Sequence, residues 1–101
     1  MIVLPISFHT NRTVPISDIG KKLNYIQLKN NKEGLVHIAY TVYTEKETLQ
    51  KGTAIVTPAL SNIPLSRLVR EPDYTILRID AMTPIPFTEE PYELTLILNQ
   101  Q

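Results

Sequence analysis

Residues 35–44 (Leu-Val-His-Ile-Ala-Tyr-Thr-Val-Tyr-Thr) constrain the fold more than any other stretch of this chain. Val36, Ile38, Tyr40 and Val42 alternate with His37, Ala39, Thr41 and Tyr43, so the two sets point to opposite faces of an extended strand. β-Branched and aromatic side chains suit a pleated, half-buried surface, and the first set is the natural core face. The expectation is that it packs against Ile2, Leu4, Ile6, Leu94 and Leu96, which alternate in the same way.

The remainder of the chain repeats this grammar. Ile2, Leu4, Ile6 and Phe8 mark a first strand, and Pro5 within it argues for a sheet edge or a bulge. Residues 11–18 read as a loop containing Pro15. Ser17 and Ile19 offer the start of a short helix, but Gly20 weakens it and the pattern from Leu23 through Leu28 favours a strand. Asn30, Asn31, Lys32, Glu33 and Gly34 then form a turn that joins the Tyr25 strand to the Val36 strand as an antiparallel hairpin. Residues 45–52 read as a polar connection ended by Gly52, and residues 53–57 as a returning strand.

Residues 61–70 are the one place where a helix is expected. Ser61 or Asn62 would cap it, Pro64 would sit in its first turn, and Leu65, Leu68 and Val69 would form its apolar side. Residues 74–82 and 92–99 are strands, the latter with Tyr92, Leu94, Leu96 and Leu98 inward. Between them Pro84, Pro86 and Pro91 make residues 83–91 an extended, semi-rigid connection. The sum is a single all-β domain over residues 1–101. It should be an antiparallel sandwich or small barrel of five or six strands with at most one short helix. No βαβ pattern is present.

Composition sets the outer limits of function. A chain of 101 residues with 43% hydrophobic content is one folded domain. It has no cysteine, which removes disulfides, thiolate metal sites and a cysteine nucleophile. The opening apolar run is too short for a signal peptide, and nothing approaches the roughly 20 apolar residues of a membrane span. Asn11-Arg12-Thr13 fits a glycosylation sequon but lacks a secretory context. Net charge is zero, which disfavours a general polyanion binder. The charge is segregated, however: residues 1–34 hold five basic against two acidic side chains, and residues 71–101 hold one against six.

No catalytic signature emerges. His9 and His37 are too few for a metal centre, the three glycines are isolated, and no nucleophile motif is present. An acid–base site built from Asp80, Glu90 and a histidine is the only enzymatic arrangement on offer. The expectation is therefore a non-enzyme without cofactor or metal. It would be a structural subunit, in its specific form a phage or virus particle component assembled in the host cytoplasm (otherwise a cytoplasmic protein), binding copies of itself or a larger shell or tail protein. The candidate partner-binding residues are Val3, Tyr43, Pro84, Pro86, Phe87 and Ile97, supplemented by strand edges. The alternative is a small single-stranded nucleic-acid binder of OB-like outline, using Lys21, Lys22, Tyr25, Lys29 and Lys32, with Tyr43 on the adjoining strand.

Overall fold

The computed structural model describes residues 2–16, 23–69 and 75–100. These residues form eight strands and no helix: β1 (Ile2–Phe8), β2 (Asn11–Pro15), β3 (Leu23–Asn30), β4 (Val36–Thr44), β5 (Thr48–Val56), β6 (Ser61–Val69), β7 (Thr75–Ala81) and β8 (Tyr92–Gln100). They build two four-stranded antiparallel sheets, sheet I in the order β1-β8-β3-β6 and sheet II in the order β2-β7-β4-β5. The all-β class is as the sequence implies. The count of eight strands corrects the expected five or six.

The pairing follows one rule. β1 pairs with β8, β2 with β7, β3 with β6 and β4 with β5, every pair antiparallel. The chain is thus a long antiparallel ribbon whose tip is the β4–β5 turn, rolled up so that β8 also meets β3 and β7 also meets β4. Such a roll of eight strands in two sheets is the jelly-roll arrangement. Successive strands cross between the sheets, and β4–β5 is the one hairpin made by consecutive strands among those described.

Two expectations about connectivity change accordingly. The turn at residues 30–34 does not close a hairpin, because β3 is already flanked by β8 and β6 and has no free edge for β4. Instead the turn carries the chain from sheet I to sheet II, with Gly34 in the left-handed region at φ 99°. Residues 11–15 are not a loop: they form β2, whose register places Val14 opposite Leu77. Likewise the strand after the Val36 strand starts at Thr48, four residues before Gly52.

The expected helix at residues 61–70 is strand β6 through Val69. Pro64 is tolerated there because β6 lies at a sheet edge, where one side of the ladder is empty. Ile63 faces the core at 4% exposure while its neighbours Asn62 and Pro64 are exposed, which is period two. The possible helix start at Ser17 lies outside the described residues, and the preferred strand from Leu23 is β3.

Both inner faces are apolar. Ile26, Leu28, Leu94, Leu96 and Leu98 of sheet I meet Ile38, Val42, Val56, Leu77 and Ile79 of sheet II, all at most 1% exposed. Each such side chain contributes about 1.5–3 kcal/mol by leaving water, which makes this layer the main source of stability. Val36, Ile38 and Val42 are buried and Tyr40 half-buried, as the alternation implies, and Ile2 and Leu4 pack against this core from sheet I.

The two flanks of the sandwich differ. At the β5–β6 flank the Gln50 side chain donates to the Pro64 carbonyl at 2.9 Å and to the Tyr40 hydroxyl at 3.3 Å, tying sheet II to sheet I. Tyr40 lies over Gly52, where any Cβ would stand 2.8 Å from the tyrosine hydroxyl. At the β1–β2 flank the sheets part to leave an open cleft of about 350 Å³ between Leu4, Ile6, Arg12 and Val14.

Candidate interaction surface

The rolled ribbon gathers the β1–β2, β3–β4, β5–β6 and β7–β8 connections at one end. The registers show this directly: Phe8 lies opposite Tyr92, Asn30 opposite Leu94, Val36 opposite Val56 and Asn11 opposite Asp80. Hydrogen bonds then lock the connections to one another. The Asn30 amide donates to the Thr57 carbonyl (2.8 Å), Met82 to His37 (3.0 Å) and Ile85 to His9 (3.1 Å). This loop end is a built surface, since every connection is held by a neighbour.

Its long connection, residues 82–91, is held at several points. The Tyr92 hydroxyl donates to the Thr83 carbonyl at 2.6 Å, and the His9 Nε2–H donates to the Glu89 carbonyl at 2.9 Å. The His9 ring lies 4.8 Å from the Phe87 ring at an interplanar angle of 48°. Phe87 is nonetheless 79% exposed. Pro84 and Pro86 are exposed beside it, so this part of the expected partner-binding set does project outward together.

Most of the large apolar side chains left in water stand at this same end. Six are exposed among the described residues, and five of them, Leu35, Ile55, Leu60, Met82 and Phe87, lie in or next to these connections. Only Phe87 of the five was legible as a candidate. Leu35 and Met82 each lie one residue outside a strand, and Leu60 lies in the β5–β6 connection. An apolar residue out of phase with its strand, beside a turn signal, is the mark that identifies them. Ile55, within β5, gives a weaker signal because it alternates correctly and faces outward.

The other candidates fall elsewhere. Val3 of β1 and Ile97 of β8 are cross-strand partners on the outer face of sheet I, forming a two-residue apolar patch beside Gln27. Tyr43 is on the outer face of sheet II, opposite Ile76 and Thr48. The six candidate residues therefore occupy three separate surfaces.

Three of the four strand edges are blunted against adding a neighbour's strand; the fourth, β5, carries no proline. The edge strands β1, β2 and β6 carry Pro5, Pro15 and Pro64, and these are the strand prolines of the described residues. Proline at an edge has no amide proton and blunts edge-to-edge pairing.

The residues proposed for nucleic acid do not assemble into one face among those described. Tyr25 and Lys29 share the outer face of sheet I, whereas Tyr43 belongs to the other sheet, because β3 and β4 do not pair. Lys32 turns to the loop end, where its Nζ meets Glu90 at 3.3 Å and donates to the Pro91 carbonyl at 2.9 Å. Lys21 and Lys22 lie outside the described residues. The Lys32–Glu90 pair also joins the basic and acidic portions of the sequence within one chain.

Asp80 and Glu90 each engage a basic partner of their own. Asp80 accepts from Arg78 Nε at 3.1 Å on sheet II, and Glu90 sits at the loop end with Lys32. Asp80 lies on sheet II and Glu93 on sheet I, so their strands do not pair. Among the described residues no three His, Asp or Glu side chains converge on a metal-sized site, and no helix is long and apolar enough to cross a membrane. No known protein-family model and no curated protein sequence matches this chain.

Proposed function

We propose that this protein is a non-enzymatic assembly module, a structural subunit that docks through its loop end onto other proteins of a larger particle. A phage or virus particle, reached by way of the host cytoplasm, is the setting this reading favours. The observation that carries it is that, among the described residues, five of the six exposed large apolar side chains stand at one end of the sandwich. Scattered apolar residues on a surface need no explanation, but a grouped set beside rigid, proline-rich backbone is what a protein contact requires. The jelly-roll architecture adds an analogy: it recurs in capsid domains, and also in lectin domains and cupins, so it does not decide function alone.

The nucleic-acid reading has less support, since its two tyrosines lie on opposite sheets and Lys32 is engaged by Glu90. The test is sedimentation of native material from the source that produces the protein. The assembly reading predicts that the protein co-sediments with a large particle at fixed stoichiometry. Recovery solely as a free monomer at physiological salt contradicts it.

A further inference from the structure

One cleft within the loop end has a definite chemistry. It is about 350 Å³ in volume and lies between the β3–β4 turn and residues 85–92. Its walls include Leu35, Val36, Ile85 and Tyr92, and its rim carries Lys32, Glu33, Glu89 and Glu90. The polar groups deeper in the cleft are already satisfied. The buried Asn30 donates to the Gly34 carbonyl (3.1 Å) and accepts from the Lys32 amide (3.1 Å). The Tyr92 hydroxyl is committed to Thr83. A polar small molecule would find few groups to bond, and the volume stands at the low end of the roughly 300–1,000 Å³ typical of such sites.

We infer that this cleft is a socket for an apolar anchor side chain, flanked by lysine or arginine, on a different protein. The inference rests on the assembly reading and specifies the partner chemistry for that same end. Apolar walls take the anchor, as buried aromatic or aliphatic anchors do at interface centres. Three carboxylates against one ammonium leave the rim acidic, and Lys32 is matched to Glu90, so Glu33 and Glu89 select basic flanks. A second copy is the wrong occupant on the same grounds. A two-fold contact would bring acidic rim against acidic rim. Among the described residues the one exposed large apolar side chain away from this end, Val3, sits between Ile2 and Leu4 and opposite Ile97, with no basic residue adjoining it in sequence.

The test titrates the full-length protein with a blocked peptide bearing a leucine between lysines, followed by amide chemical shifts. Two control peptides replace the lysines by glutamates or the leucine by serine. The socket predicts saturable shifts centred on Leu35, Val36, Ile85 and Tyr92, with the lysine-flanked peptide bound about fivefold tighter than the glutamate-flanked one. Glu33→Lys with Glu89→Lys keeps the Lys32–Glu90 pair and should reverse that preference. Equal response to all peptides, or shifts centred elsewhere, overturns the inference. So does concentration-dependent broadening at these amides without peptide, which would assign the end to a second copy. Co-sedimentation of the Glu33→Lys/Glu89→Lys variant with particles at wild-type level refutes the socket while leaving the assembly reading standing. A wild-type protein found only as free monomer fails both.

Discussion

The β4–β5 turn closes a hairpin within sheet II, the β7–β8 connection carries the chain from sheet II to sheet I, and their chemistry is opposite. The turn is self-sufficient. The Thr44 amide donates to the Glu47 carbonyl at 2.8 Å, and the Thr44 hydroxyl accepts from the amides of Lys46 and Glu47 at 3.2 Å. Glu45, Lys46 and Glu47 are all exposed and charged, as a solvated reversal needs. The β7–β8 connection borrows its supports from His9 and Tyr92 and holds Met82 and Phe87 out in water at 56% and 79% exposure. Reversing the chain does not require an exposed phenylalanine. The difference separates a connection shaped by folding alone from one that also presents a surface.

Four substitutions break or sharpen this comparison, in falling order of effect on stability. Leu96→Ala empties a fully buried position in a central strand of sheet I and should cost about 2–5 kcal/mol, disabling turn and connection together. Urea denaturation measures it, and a loss below about 1 kcal/mol would contradict the core described here. Gly52→Ala forces the Tyr40 ring off β5 and should cost about 1–3 kcal/mol, because the ring and Gln50 hold the β5–β6 flank.

Thr44→Val removes hydroxyl bonds that close the turn and should cost about 1 kcal/mol in a thermal melt, without altering particle association. Phe87→Ser should leave stability within about 0.5 kcal/mol of wild type, yet weaken co-sedimentation with the particle. Thr44 and Phe87 thus separate the two regions: one substitution moves stability alone, the other association alone. A Phe87→Ser protein that unfolds as readily as Leu96→Ala would assign Phe87 to the fold.

The same contrast between self-sufficient and borrowed structure explains what could be read in the sequence. The central strands β8, β3, β7 and β4 bury their inner faces against two neighbours each, and their alternation is plain in Leu94–Leu96–Leu98, Ile26–Leu28, Leu77–Ile79 and Val36–Ile38. Of the edge strands, β1 was legible whole. β2 buries Val14 alone within its bounds, β5 is interrupted by Gly52, and β6 contains Pro64. An edge strand makes one ladder instead of two, so it tolerates residues that a local reading takes for loop or helix. In β6, Leu65, Leu68 and Val69 also satisfy helical spacing, and only the pairing of Tyr25 with Pro64 and Ile26 with Ile63 decides the matter.

Strand pairing is set by contacts distant in sequence, which local composition does not encode. Residues 30–34 have the composition of a hairpin turn, but neighbouring strands on both sides of β3 leave β4 no place beside it. For the interaction surface, Pro84, Pro86 and Phe87 were legible because they break the strand pattern visibly. Leu35, Leu60 and Met82 were not, since their grouping depends on the roll that brings four connections to one end.

The proposed assembly role places the partner contact at the loop end and not at the turn end. A photo-crosslinking phenylalanine analogue in place of Phe87, compared with the same analogue in place of Lys46, tests it in the native particle. The account predicts one dominant adduct with a different structural protein from the Phe87 position and little or none from the Lys46 position. Equal crosslinking from both, or adducts only from the Lys46 position, would contradict it.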